Sequence, residues 1–142
     1  MSALWGVIIG GVLTILGQLT AEWVKARSAG KARVDLRHRL RQRYNLDALR
    51  ELEASALRLH NVLVDYQTVD VPDPFLEKSL REAISLFDAC LPRVDPEEVR
   101  IKMRVWEQTA VRWVNDDDTA AAEQRAWQAA LNACGQAMRE AL

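Results

Sequence analysis

The side chains best suited to chemistry are few and far apart in the chain: His38 and His60, Cys90 and Cys134, and the run Asp116-Asp117-Asp118. A protein metal site needs several convergent ligands. Asp35-x-x-His38 supplies only two, and the surrounding arginines repel a cation. A di-metal bundle would place inward carboxylates and a Glu-x-x-His on facing helices, and the sequence contains no Glu-x-x-His. The triple aspartate lacks the alternating ligands, central glycine and terminal glutamate of a calcium loop, and helix capping accounts for it. Cys90 and Cys134 fall on or at the edge of apolar stripes, which predicts core thiols in a reducing compartment. There is no Walker-type glycine loop, no H-E-x-x-H and no G-x-S-x-G. The expectation is a non-enzymatic protein with no catalytic residue, no metal and no cofactor.

Trp106 and Trp113 are seven positions apart and share a helix face. Core packing is their default role. An exposed pair would instead be a binding hot spot, so both are carried as candidate partner contacts.

The elements that must position these residues emerge from the charge order. The 142 residues carry a formal net charge of −1, but it is unevenly spread. Residues 1–22 hold one charge, Glu22. Residues 23–44 hold eight basic residues (Lys25, Arg27, Lys31, Arg33, Arg37, Arg39, Arg41, Arg43) against Asp35, giving +7, and residues 45–142 hold eleven basic and eighteen acidic residues, giving −7. The 49% hydrophobic content excludes a disordered chain.

Residues 2–21, SALWGVIIGGVLTILGQLTA, contain no charge. As a helix they span about 30 Å, the thickness of a bilayer hydrocarbon core. Trp5 and Trp23 bracket the stretch as interface anchors. A cleaved signal peptide would show a basic start and a small-x-small exit, and an interfacial helix would show a charged face. The expectation is a retained single-pass anchor over residues 1–23. Basic residues flank only its C-terminal side, so the short N-terminus is expected outside and the remainder in the cytoplasm of a bacterial inner membrane. Gly6, Gly10, Thr14, Gly17 and Ala21 share a face and would let another membrane helix approach closely. This predicts a homo-oligomer or docking on an unknown membrane protein.

Residues 24–44 read as a basic juxtamembrane helix. Leu36, Leu40 and Tyr44 are spaced i, i+4, but the stripe is narrow. Lys25, Arg27, Lys31 and Arg33 are the expected contacts to anionic lipid headgroups, each worth about 1 kcal/mol at the surface. No DNA-binding motif accompanies the cluster, so nucleic acid is not the expected partner.

Residues 45–142 are expected to form an antiparallel four-helix bundle, because no stretch alternates with period two. The first helix carries Leu49, Leu52, Ala56, Leu59, Leu63 and Tyr66 at spacings of three and four. Asp73-Pro74 starts the second, which buries Leu76, Leu80, Ala83, Ile84, Phe87 and Leu91. Asp95-Pro96 should cap the third, with Glu98 completing a capping box, ahead of Val99, Met103, Trp106, Ala110 and Trp113. The fourth, from Ala120, presents Trp127, Leu131, Cys134 and Met138. The fold class is therefore all-α, with a transmembrane helix, a basic helix and a bundle in series.

The opening LWGVIIGGVLTILGQLTAEWVKAR with its Arg-rich continuation resembles small single-span membrane proteins of high-GC bacteria and their prophages. The resemblance is architectural, covers about the first 45 residues, transfers no site residue and implies no activity. The leading expectation is a membrane-anchored interaction module. A phage-type membrane-active protein (holin, toxin or superinfection exclusion) is the second, and a membrane-tethered ligand sensor or enzyme the third. The last requires convergent polar groups inside the bundle.

Overall fold

The structure is a computed structural model. It describes the backbone of residues 2–116 and 118–142 and the side chains of residues 18–116 and 118–142. All regular structure among them is helical. Four α-helices follow one another: α1 (Ser2–Thr68), α2 (Pro74–Cys90), α3 (Glu97–Val114) and α4 (Ala120–Glu140), with a 3₁₀ turn at Leu91–Arg93. The chain divides into two units, residues 1–41 and 42–142.

The three segments expected as separate stretches within 1–66 are one continuous helix, α1. No proline interrupts the sequence before Pro72, and Gly30 is tolerated at a cost of about 1 kcal/mol. The division between units falls at Arg41, three residues before the expected boundary after Tyr44. In the first unit every described residue from Gln18 to Arg41 is exposed. Among the residues whose side chains are described, no helix is long and apolar enough to cross a membrane. The expected span, 2–21, falls outside them apart from residues 18–21.

The second unit is built from the last part of α1 and from α2, α3 and α4. Cys134 Sγ donates to the Leu49 carbonyl at 3.7 Å and His60 Nδ1 lies 3.1 Å from Glu123 Oε1, so α1 and α4 run in opposite directions. Arg104 bonds Asp88 and Phe87 packs on Trp106, across the short connection that reverses α2 into α3. Arg93 reaches Glu51 at one end of the unit and Gln67 reaches Asp116 at the other. Neighbouring helices thus alternate in direction around one core.

That core follows the expected stripes. Leu49, Leu52, Leu59, Phe87, Val94, Val99, Met103, Trp106 and Cys134 are fully buried, together with Ala56, Ala83, Ala110 and Ala130. Burying each large apolar side chain contributes about 1.5–3 kcal/mol. Leu80, Ile84, Leu131 and Met138 pack against the core and are partly buried, and Tyr66, Leu76 and Trp113 are partly buried.

The helix starts agree with expectation in two cases and differ in one. Asp73 caps α2, its carboxylate accepting the Leu76 N–H at 2.6 Å, with Pro74 in the first turn. Thr119 caps α4 by accepting the Ala122 N–H at 3.2 Å, and Asp118 accepts the Thr119 N–H at 2.8 Å. At α3 the cap position differs from the expected Asp95. Pro96 itself occupies the cap position with no side-chain hydrogen bond, and the helix begins at Glu97. The Pro96 carbonyl takes the Arg100 N–H. A helix can start this way because its first N–H groups reach solvent on an exposed turn. Asp116 adopts φ 60°, a left-handed conformation that a short carboxylate side chain tolerates and that lets the chain reverse after α3.

Candidate functional site

The most organised polar arrangement in the molecule is inside the bundle, centred on Glu123 of α4. Its side chain is buried, with the residue only 4% exposed. One oxygen, Oε1, accepts the indole N–H of Trp106 from α3 at 2.9 Å. The same oxygen accepts from His60 Nδ1 of α1 at 3.1 Å. His60 lies flat on Trp127, with centroids 4.6 Å apart and planes 3° from parallel. Trp106 closes the cluster against Trp127 at 4.6 Å and receives Phe87 edge-on at 5.7 Å.

Each contact answers a physical demand. A carboxylate removed from water needs donors, and a buried indole N–H needs an acceptor. Glu123 and Trp106 satisfy one another where neither reaches solvent. The carboxylate also selects which ring nitrogen of His60 carries the proton, because only Nδ1–H can donate to it. The result ties α1, α3 and α4 at one level of the bundle. Chemically it is a clasp: the polar groups are paired with one another, and Trp106, at 0% exposure, seals the interior side. A carboxylate-oriented histidine is half of a general-base arrangement, but no hydroxyl or thiol nucleophile is bonded to His60 among the described residues. Cys134 bonds the Leu49 carbonyl, and burial pushes its thiol up to about 11, with Glu53 adding to the effect.

The bundle interior is therefore not wholly apolar. Its other buried polar side chain, Ser55, donates to the Leu52 carbonyl at 2.8 Å. Two shallow apolar grooves of about 410 Å³ flank the outer side of α1. One is lined by Leu57, Trp127 and Leu131, the other by Ser55, Leu86 and Cys90. The Glu51–Arg93 ion pair, 2.6 Å, borders the second. The Arg93 guanidinium is held above its ordinary range by a Tyr44 hydrogen bond and by the Glu51 charge.

The sequence puts Trp106 on the buried stripe of its helix, with an exposed partner contact as the alternative. That alternative is corrected: Trp106 is sealed in the core, and its N–H belongs to Glu123. Trp113 is partly buried. Glu123 was missed, although a signal existed. It lies four residues before Trp127, where the α4 apolar stripe extended by one turn meets a glutamate. His60 likewise sits between Leu59 and Leu63 on the buried side of α1.

Of the expected membrane residues, Trp5, Gly6, Gly10, Thr14 and Gly17 lie outside the described side chains. Ala21, Trp23, Lys25, Arg27, Lys31 and Arg33 are exposed. Trp23 is 64% exposed and carries the Arg27 guanidinium over its ring at 5.1 Å, a cation–π contact. His38 is exposed beside Arg37 and Arg41. Among the described residues no group of three or more His, Cys, Asp or Glu side chains could hold a metal ion. Asp116 accepts from Gln67 and Asp118 from its own cap turn, while Asp117 lies outside the described residues.

Comparison with known protein families, curated proteins and solved structures finds no match for this chain.

Proposed function

We propose that this chain is a membrane-anchored, non-enzymatic helical interaction module of the bacterial inner membrane, with a short N-terminus outside and residues 24–142 in the cytoplasm. One observation carries the reading. An uncharged twenty-residue stretch, 2–21, is followed directly by basic residues on one side only. The exposure of Trp23, Lys25, Arg27, Lys31 and Arg33 supports it, since these side chains are free to meet an interface and anionic headgroups. Gly6, Gly10, Thr14, Gly17 and Ala21 would form the contact with a second membrane helix. The anchor confines the bundle to the membrane surface and raises its effective concentration there.

Alkaline extraction of membranes, combined with labelling of S2C and D116C by an impermeant maleimide, tests the reading. The chain should stay in the membrane pellet, S2C should react in intact cells, and D116C should react only after permeabilisation. Release into the supernatant removes the anchor, and labelling of D116C in intact cells reverses the orientation.

A further inference from the structure

The first unit exposes Arg33, Arg37 and Arg39 along one stretch of α1. Among the described residues none of Arg33, Arg37 and Arg39 is in a salt bridge, although all are exposed. The same part of α1 also exposes two leucines: Leu36 is 58% exposed and Leu40 is 56% exposed.

The helical period connects these two facts. At about 100° per residue, Ala29, Ala32, Leu36 and Leu40 fall within about 80° of one another. Arg33 and Arg37 edge this stripe on one side and Arg39 on the other. A shallow concavity lined by Ala32, Asp35, Leu36 and Arg39 marks its surface. Asp35 is the single acid there, beyond Arg39.

We infer that the Leu36–Leu40 face of α1 is a docking surface for an amphipathic partner helix whose apolar stripe is edged by glutamate or aspartate. Unpaired arginines call for an anionic partner, because exposed charges of opposite sign steer association and fix register. The leucines decide what kind. Phosphate backbones neutralise cations but offer nothing to a leucine stripe, whereas an amphipathic helix supplies both complements at the same spacing. Under the anchor reading Arg33 is also a headgroup contact, but Leu36, Arg37, Arg39 and Leu40 lie too far out for headgroups to be their partner. Leu36 lies about 22 Å of helix beyond Ala21, past a headgroup layer about 5–8 Å deep and a screening length of about 8 Å. The docking face goes beyond that reading and stands without it, since it rests on exposure and charge within α1.

The test titrates the full chain, offered phosphatidylcholine nanodiscs, with a synthetic helix carrying leucine at its a and d positions and glutamate at e and g, at physiological ionic strength. A chain that stays outside the discs is titrated in solution, so failure of the anchor and failure of the docking face are read separately. The glutamate helix should bind, and a lysine-edged version should not. L36S/L40S and R33Q/R37Q/R39Q should each weaken binding at least about tenfold, with circular dichroism confirming that both variants keep their helix. No binding of the glutamate helix overturns the inference. So does loss in the arginine variant with none in the leucine variant, which describes a general polyanion site. Tighter binding of double-stranded RNA than of the glutamate helix, abolished by the arginine variant, also overturns it.

Discussion

Trp106 donates its indole N–H to Glu123 at 2.9 Å, from a position with no exposure to a carboxylate that is almost as deeply buried. Neither group has water to fall back on. Glu123→Leu should therefore destabilise the bundle by about 2–4 kcal/mol, because it leaves the indole N–H without an acceptor and removes the partner of His60. Glu123→Gln keeps an amide oxygen for the indole and should cost nearer 1 kcal/mol. In a Trp106→Phe background, Glu123→Leu should cost at least about 1 kcal/mol less than in the parent, since the stranded donor is already gone. Urea denaturation of the parent, Glu123→Leu, Glu123→Gln, Trp106→Phe and the double variant measures these differences. Equal losses for Gln and Leu would show that the hydrogen bond contributes nothing.

Cys134 should resist alkylation. Its thiol is pushed up to about 11 by burial, so very little thiolate exists near neutral pH. Iodoacetamide should modify it only as fast as the bundle opens. The pH dependence follows in sign. The folded state holds this proton more tightly than the unfolded state, so the stabilisation is complete below about 9. It declines as pH rises from there through about 11. Cys134→Ala should remove that alkaline component from a series of urea melts. An unchanged alkaline slope in the variant would assign it to other groups.

Asp73 and Thr119 are the two side-chain caps of the bundle helices. Asp73→Ala and Thr119→Ala should each lower stability by about 0.5–2 kcal/mol, read as lower urea midpoints with unaltered m-values. Asp73→Asn should recover most of the loss, because the amide oxygen accepts the Leu76 N–H as well as the carboxylate does. Failure of that rescue would point to charge, rather than the hydrogen bond, as the source of the effect.

Gly30 sits in the exposed part of α1 with nothing within 4 Å of where a Cβ would stand. Gly30→Ala has no steric cost there and removes backbone freedom from the unfolded chain, so it should strengthen the helix locally by about 1 kcal/mol. Amide exchange around residue 30 should slow by about fivefold. Unchanged exchange there would mean that opening of this segment is not a local helix–coil event.

What the sequence determined by itself is the set of quantities that depend on residue order along one helix. Stripe spacing located the buried faces of α2, α3 and α4, and Asp73-Pro74 marked a helix start. The charge order separated a basic segment from an acidic bundle, because periodicity, capping chemistry and charge are local. The tertiary structure decided everything that depends on which stripe meets which. It gave the indole N–H of Trp106 its acceptor, Glu123 from α4, and it joined His60 to Trp127 across sixty-seven positions. It also set Pro96, rather than Asp95, at the start of α3. A glutamate on a helix is equally at home in solvent or in a core that supplies donors. Only the neighbouring helices reveal that Glu123 has an indole and an imidazole waiting for one of its oxygens.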